Sequence, residues 1–353
     1  MQIPLDIAAV ISAGHSLGFA CRPDGTVTGG FEPGWGGAYP PPGYLPWNIL
    51  DVGNGDTFGY YWPIGCEDGP PVVCTLMHDA GALLPVASSL AGCIRLHLLA
   101  RNGNLEELVD AARTFAIDIA DIPIPERDDD EEPFPLDGPP WTEGTPRGIE
   151  YWGASSAGGL LRHDPDSPHL RFVAAQEAIA RRQLVEAEDH LNVALARLPE
   201  YTDALALLAQ VHRQQQDHRR TAESLMEAIT SPRCFGAPDR TKLLNWLQRL
   251  GDDAGAASDD PLWKRRHELT FVEGVKEKDD YRVFEALIEE YHRLDRGVRA
   301  VRLRILTGEL IGRETVSFRE RQNWTDEKWR SLLRSDLQRA GLHQRLATIS
   351  EGQ

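Results

Sequence analysis

The hydrophobic and polar positions of this 353-residue chain change their spacing about a third of the way along the sequence. Between residues 48 and 77, apolar residues form short runs that are rich in aromatic and β-branched side chains and separated by glycine-containing turns. Such runs are typical of β-strands, and we expect three of them, at Asn48–Val52, Thr57–Trp62 and Val72–Met77. Their order along the chain predicts an antiparallel meander.

Two helices are expected after the third strand, because apolar residues then recur every three or four positions. The first is predicted over Pro85–Arg101, where Ser88 and Ser89 can cap its start, and the second over Asn104–Ala116. Upstream of the strands, Gly29–Trp47 contains too many glycines and prolines for a helix. We expect an ordered loop there, anchored by its aromatic side chains.

Residues 118–165 are expected to link two domains. Within them, Glu126–Glu132 reads ERDDDEE and is followed by PFPLDGPPW. Prolines and neighbouring like charges both oppose packing. The segment is either a solvated tether or an acidic arm that contacts a basic partner. These boundaries predict a fold in which an α+β domain over residues 1–117 is followed by the linker and by an all-α domain over residues 166–353.

The all-α region repeats itself with a period of 34 residues. Pairs of small or apolar residues stand 34 positions apart: Ala175 and Ala209, Leu191 and Leu225, Ala194 and Ala228. Residues 168–201 and 202–233 therefore resemble two tetratricopeptide repeats. Because each such repeat buries its apolar face on its neighbours, further helices are expected to complete the stack. They are predicted at Asp239–Leu250, Pro261–Lys276, Asp280–Leu294, Val298–Ile311 and Thr325–Ala347.

The net charge of −17 lies almost entirely in the first part of the chain. Residues 1–165 hold 23 acidic and 7 basic side chains, whereas residues 166–353 hold 31 acidic and 30 basic side chains. Nucleic acid binding needs clustered lysine and arginine, and anionic membranes repel an acidic surface, so neither partner is expected. The charge favours a basic protein partner; the alternative is that it only keeps the protein soluble.

The cysteines and the N-terminal segment both favour a cytoplasmic protein. Five cysteines without tight spacing argue against a disulfide framework and fit a reducing compartment. The segment MQIPLDIAAVISAG has no basic residue ahead of its apolar stretch, so a secretory signal is not expected. The apolar runs are too short to span a bilayer.

No residue pattern predicts catalysis, a cofactor or a bound metal. The pair His78-Asp79 has no serine in a nucleophile elbow to act with it and is expected to form a turn. Cys66, Cys74, His78 and Cys93 lack the close cysteine pair of a zinc site. Glycine-rich phosphate-binding motifs are missing from the sequence. Of three classes of function, an enzyme is therefore the least favoured, and we expect a binding protein.

The segment from Leu45 to Leu99 contains an ordered series of motifs: Gly55-Asp56, Phe58, Tyr60, Pro71-Val72, His78-Asp79 and Ser88-Ser89. In that order they resemble the SUKH superfamily, the Smi/Knr-type fold. The resemblance implies an α+β domain with a binding role. Bacterial members are mostly immunity proteins that bind and block a polymorphic toxin, and fungal members act as regulatory scaffolds. Many such toxins are basic nucleases, in agreement with the acidic first part of this chain.

Ten residues are expected to contact the partner. Four are carboxylates around the turns of the meander, and strand alternation separates Tyr61 from Tyr60 and Trp62, so at least one of these aromatics is expected to be exposed. The other five line the first helices of the repeats, a groove that either holds a peptide or helix or is filled by the flanking helices. The set is Asp51, Asp56, Tyr61, Glu67, Asp68, Phe172, Gln176, Asp203, Gln210 and Arg213.

Two functional hypotheses follow. The first is a bacterial immunity protein that binds a cognate toxin and neutralises it sterically. That toxin is expected to be basic, such as a nuclease or another secreted effector domain. The alternative is a cytoplasmic tetratricopeptide scaffold that recruits a cellular protein assembly.

Overall fold

The computed structural model describes residues 1, 3–4, 20–22, 26–29, 42–50, 56–77, 82–100, 105–122, 141–142, 145–146, 156–232, 235–236, 239–251, 259–271, 280–312, 314, 316–321 and 323–349. Its first part holds a four-stranded antiparallel sheet with helices, and the part that follows is mostly helical. The expected order of an α+β region before a helical region is thus confirmed. Membership of the SUKH superfamily and of the tetratricopeptide family stays a prediction.

The main sheet has the strand order β3-β4-β5-β6, each strand antiparallel to the next. Its strands are β3 (Tyr44–Trp47), β4 (Thr57–Tyr61), β5 (Val72–Met77) and β6 (Ala82–Ala87). Two further strand pairs are short: β1 (Ala20–Cys21) with β2 (Val27–Gly29), and β7 (Trp141–Thr142) with β8 (Thr145–Pro146). The two central strands, β4 and β5, are the ones that the sequence pattern predicted.

Both edge strands of the main sheet differ from the prediction. The first, Tyr44–Trp47, ends before the predicted strand Asn48–Val52, of which the described residues 48–50 are not in a strand. The fourth, β6, includes Pro85, the residue at which a helix was predicted to start. Pro46 and Pro85 each lie in an edge strand, where one side of the backbone has no ladder to complete and a missing N–H is tolerated. The prolines therefore indicated the sheet edges and not a loop or a helix start.

Helices α1 (Leu90–Ala100) and α2 (Leu105–Thr114) follow the sheet. The hydroxyl of Ser89 accepts a hydrogen bond from the Gly92 N–H at 3.1 Å, as the predicted capping role requires. These helices cover one face of the sheet, and the aromatic side chains beneath them are those of Trp47, Phe58, Tyr60 and Trp62. Ile122 and Leu160 join the same core, so the ends of the predicted linker are packed against it. Its acidic part, Glu126–Glu132, lies outside the described residues.

Two helical hairpins of nearly equal shape follow the short helix α3 (Ala157–Leu160). The first is α4 (Pro168–Ala180) with α5 (Leu184–Arg197), and the second is α6 (Thr202–Gln214) with α7 (His218–Thr230). Corresponding helices start 34 residues apart, so the predicted period is present in the structure. The hairpin turns also match: φ is 63° at Arg182 and 62° at Gln216, and the following amide donates back to the carbonyl five residues before it.

The remaining helices are α8 (Arg240–Arg249), α9 (Pro261–Arg265), α10 (Asp280–Arg293), α11 (Gly297–Gly312), α12 (Val316–Arg321), α13 (Asp326–Arg339) and α14 (His343–Leu346). Two predicted helices were too long. The one expected over Pro261–Lys276 ends at Arg265, and residues 266–271 are not helical; the rest of that range lies outside the described residues. The one expected over Thr325–Ala347 is interrupted at Gly341, whose φ of 72° is left-handed.

Helix α11 lies at the centre of the helical region. All of its residues from 300 to 309 are buried. Its apolar side chains contribute to two cores, one shared with α7, α8 and α10 and the other shared with α13 and with Ile64 of the sheet region. A helix that is buried on every side gives little amphipathic signal in the sequence.

Candidate protein-binding site

The second face of the sheet is covered by the repeated hairpins. Tyr61 and Val72 pack there in one core with Phe172 and Phe235, while Tyr60 lies in the core on the opposite face. Strand alternation therefore placed Tyr60 and Tyr61 on different faces, as predicted. The expectation that one of the three consecutive aromatics is exposed was wrong, because Tyr60, Tyr61 and Trp62 are all buried.

Tyr61 contacts other parts of this chain instead of solvent. Its hydroxyl donates to Glu200 Oε1 at 2.5 Å, and its ring centroid lies 4.6 Å from that of Phe235. Glu200 is fully buried and also accepts from the Ile64 N–H at 2.8 Å. Its second oxygen lies 3.4 Å from Arg302 of α11. In this structure Tyr61 is a contact within the chain, and it offers no surface to a partner.

Glu67 is also buried, and its partner is Arg345 in α14. The Arg345 Nε donates to Glu67 Oε1 at 2.6 Å, and its two terminal nitrogens donate to the backbone carbonyls of Pro42 and Trp62. Removed from water, Glu67 cannot serve as the partner-facing carboxylate that was predicted. We call Tyr61, Glu67, Glu200, Arg302 and Arg345 the buried junction, because they join the sheet to the helical region.

Sequence reasoning missed Glu200, Arg302 and Arg345. Each stands in a segment of mixed charge, where a charged residue is normally taken to be on the surface. The available signal was weak: the arginines of α11 alternate with apolar residues too closely for one helix face to be polar.

Two of the predicted carboxylates remain at the surface. Asp68 is exposed and accepts a hydrogen bond from the Gln344 side chain, and Asp56 is partly exposed. Asp51 lies outside the described residues, as do His78 and Asp79. The predicted acidic contact around the turns of the meander is therefore reduced, among described residues, to Asp56 and Asp68.

A larger group of exposed carboxylates lies on α2 and the turn that follows it. Its members are Glu106, Glu107, Asp110, Asp118 and Asp121. Two arginines approach them: Arg113 contacts Asp110 at 2.7 Å, and Arg95 contacts Asp121 at 2.6 Å. The hydrogen bond from Arg95 holds the pKa of Asp121 below its usual range. We call these five carboxylates the acidic surface; their negative charges outnumber the positive charges of Arg95 and Arg113.

The predicted groove is covered at one end. Phe172 is buried against Tyr201, with ring centroids 5.4 Å apart, in the core shared with the sheet, so it cannot line an open groove. Asp203 lies against Gly236, and burial raises its pKa to about 6. The sheet, Phe235 and Gly236 fill this end of the groove, whereas one of the two predicted alternatives was that the flanking C-terminal helices fill it.

The other end of the predicted groove is open to solvent. Gln176 and Arg213 are exposed, and Gln210 is partly exposed. The Arg213 guanidinium lies 4.2 Å from the centroid of the Trp246 ring, a cation–π contact between α6 and α8. We call Gln176, Gln210, Arg213 and Trp246 the helical surface.

The described cysteines show no sign of reactivity. Cys74 and Cys93 are buried, and burial raises the pKa of both thiols. Within the described part of the chain, no group of three or more histidine, cysteine or acidic side chains is arranged to hold a metal ion. None of the helices in that part combines the length and apolar character needed to cross a bilayer.

These features define a two-part protein in which a covered sheet and a helical region share a buried junction, with polar and charged side chains at the surface. Residues 34–106 match a family described as the YfbP N-terminal domain, and residues 272–345 match the YfbP C-terminal domain. The chain is 24% identical over 302 residues to a protein named "Uncharacterized protein YfbP" from Escherichia coli (strain K12), with 84% of this chain and 88% of that protein covered. The first matched segment contains Tyr61 and Glu67, and the second contains Arg302 and Arg345.

Proposed function

We propose that the protein binds a basic protein partner and blocks it sterically, as an immunity protein does with a toxin. The acidic surface is the observation that supports this proposal most directly. Its five carboxylates are exposed on one helix and the adjoining turn, within the part of the chain that holds nearly all the net negative charge. Surface charge of one sign raises the encounter rate with a partner of the opposite sign.

The proposed partner is a toxin, and the proposed compartment is the cytoplasm. Both rest on the SUKH-like motifs in residues 45–99, and the compartment rests also on five cysteines without the tight spacing of a disulfide framework. Neutralisation by binding needs no chemistry from this chain, because a bound protein can cover the active site of the toxin. Asp56 and Asp68 extend the proposed contact beyond the acidic surface.

Charge neutralisation tests the role of the acidic surface. The tagged protein and a triple variant, Glu106→Gln, Glu107→Gln and Asp110→Asn, are each used to capture partners from their native cells at low and high salt. We expect one stoichiometric basic partner with the wild type, weakened by salt and by the triple variant.

A matched control removes three exposed carboxylates from the helical region: Asp189→Asn, Glu320→Gln and Glu327→Gln. It changes the net charge by the same amount, and capture is expected to stay at the wild-type level. Equal loss in both triple variants would show that total charge, and not this surface, governs binding. Cells that co-express the protein with the toxin of the neighbouring gene should survive; their death would refute the immunity function.

The repeated hairpins support a second candidate, a scaffold that recruits a cellular assembly. The helical surface is exposed, and it carries an arginine and a tryptophan, two of the residue types that are enriched at binding hot spots. For a scaffold, Arg213→Ala and Gln210→Ala should reduce capture of several cellular proteins, and high salt should have little effect. The triple variant of the acidic surface would then bind like the wild type.

A further inference from the structure

Arg302 is a buried cation whose ion pairs with described residues are long. Its side chain is nine-tenths buried, yet its Nη1 lies 3.5 Å from Glu227 Oε2 and its Nη2 lies 3.4 Å from Glu200 Oε2. Its Nε is shielded from solvent and has no hydrogen-bond partner among the residues that the structure describes. Charge-assisted N–H···O bonds usually measure about 2.7–2.9 Å. The ion-pair distances of Arg302 are therefore long for a charge that has been removed from water.

Two other buried arginines of the helical region donate short hydrogen bonds to carboxylates. Arg304 Nε donates to Asp336 Oδ2 at 2.6 Å. Arg345 Nε donates to Glu67 Oε1 at the same distance. Arg302 differs from both in bond length, although all three are buried.

Arg302 also lines an open cleft of about 510 Å³. The cleft lies among α7, the end of α10, the start of α11 and the end of α13. Its charged lining residues are Arg296, Arg299, Arg302, Arg339, Glu227 and Asp295. Arg339 is already paired with both carboxylate oxygens of Glu289, at 2.7 and 2.9 Å. The start of the 16-residue helix α11 adds the positive end of a helix dipole.

Each nearby carboxylate is shared between two arginines, so the carboxylates do not occupy all of the guanidinium N–H donors. Asp260 accepts from both Arg296 and Arg299, and Glu227 is the neighbour of both Arg299 and Arg302. Each arginine carries five N–H donors, and a carboxylate offers about four acceptor positions. Arg296 is partly exposed at the cleft rim, 41% of its side chain being accessible, so a ligand can reach this group.

We propose that the cleft binds a small oxyanion, a phosphate or carboxylate group, through Arg302, Arg299 and Arg296. The bound oxygens supply the short charge-assisted hydrogen bonds that Arg302 lacks. Glu227 opposes binding by its like charge, and its side chain is 35% exposed, which leaves it room to turn towards solvent. This site is separate from the acidic surface and does not depend on the proposed toxin.

Binding is measured by isothermal titration and by thermal unfolding with inorganic phosphate and, in a second series, with acetate. Ionic strength is held constant with sodium chloride. We expect a saturable rise in Tm with at least one of the two anions, since a ligand of the folded state stabilises it. A tighter response to phosphate identifies a phosphate ligand, and a tighter response to acetate identifies a carboxylate. The absence of a saturable response to both anions at constant ionic strength would overturn the proposal.

Substitutions locate the site. Arg302→Gln should abolish binding, and Arg296→Gln, at the accessible rim, should weaken it about tenfold because one charge-assisted hydrogen bond is lost. If Arg302→Gln does not fold, the anion affinity of Arg296→Gln tests the proposal. The matched control is Arg293→Gln, whose side chain is 74% exposed and lies outside this cleft; it should bind like the wild type.

A third substitution is expected to raise the affinity for the anion and not to lower it. Glu227→Gln removes a negative charge that faces the anion, so affinity should rise about threefold or more. If Arg302 is only a structural ion-pair partner, the same substitution gives no gain in anion affinity. Equal weakening by Arg296→Gln and Arg293→Gln would likewise rule out a specific site.

Discussion

Burial changes the acid–base behaviour of Asp203, one of the residues that the repeat pattern marked for partner contact. Desolvation raises its pKa from 3.8 to about 6, so the folded protein binds this proton more tightly than the unfolded chain does. Stability from this group is therefore greatest below about pH 4 and is lost as the pH rises through 6.

Asp203→Asn should stabilise the protein at pH 7.5, because it removes the buried negative charge. The expected gain is about 1–3 kcal/mol in the free energy of unfolding, and it should vanish near pH 4. Urea unfolding at both pH values measures it. The control is Asp189→Asn, an exposed carboxylate on α5, which should not show this pH dependence. A gain of equal size at both pH values would argue against titration of Asp203.

Arg345 donates hydrogen bonds to three buried acceptors. Arg345→Met should destabilise the protein by about 3–5 kcal/mol, because Glu67 is left buried without its counter-charge. The double variant Arg345→Met and Glu67→Gln should recover part of that loss. A double-mutant cycle in urea measures the coupling, and additive effects would mean that the two side chains do not interact in solution.

At the scale of helices and strands, the sequence pattern predicted the interiors of elements better than their ends. Strands β4 and β5 and the hairpin helices followed their periodicity. Pro85 was misplaced because proline suits the first turn of a helix and an edge strand equally well. The choice between them depends on which strand pairs with β5, and that is a long-range property.

The same limit applies to the candidate site. Gln176 and Arg213 were correctly placed on the surface of the first hairpin helices, since a 34-residue period fixes helix phase. Tyr61 and Phe172 were not recognised as core, because no local pattern shows that the sheet packs on the hairpins. Charged residues such as Arg345 are recognised as buried only when their partners are known.

The turn after helix α13 contains a glycine that can be substituted without disturbing packing. Gly341 has φ 72°, and a Cβ placed there would meet no atom within 4 Å. Gly341→Ala should therefore cost about 1 kcal/mol through backbone conformation alone. Gly159→Ala in α3, which also faces open space, should be neutral or stabilising. Thermal unfolding of the two variants compares them, and equal shifts would contradict a conformational origin.

At the scale of the whole molecule, the sheet is sandwiched between α1–α2 and the repeated hairpins. Its second face carries Tyr44, Tyr61, Val72, Cys74 and Leu83, all in one core with the helical region. The two parts are thus joined over a buried apolar surface, and not only by the chain between them.

We expect unfolding in urea to be a single cooperative transition. Tryptophan fluorescence and far-ultraviolet circular dichroism should give the same midpoint. A fragment of residues 1–122 should bind a hydrophobic dye strongly, because the second sheet face is then bare. Two separated transitions, or a fragment that stays monomeric without binding dye, would mean that the sheet region is stable alone.

The contact between Glu67 and Arg345 spans 278 positions of the sequence. At about 5–20 residues per second, a ribosome needs roughly 15–55 s to synthesise the chain between them. During that interval the sheet strands have emerged, but the arginine that receives Glu67 has not been made. The nascent protein therefore exposes an apolar sheet face until the repeated hairpins have been made, and it exposes the Glu67 carboxylate until α14 has been made. Both features make it a natural client for chaperones that act during translation.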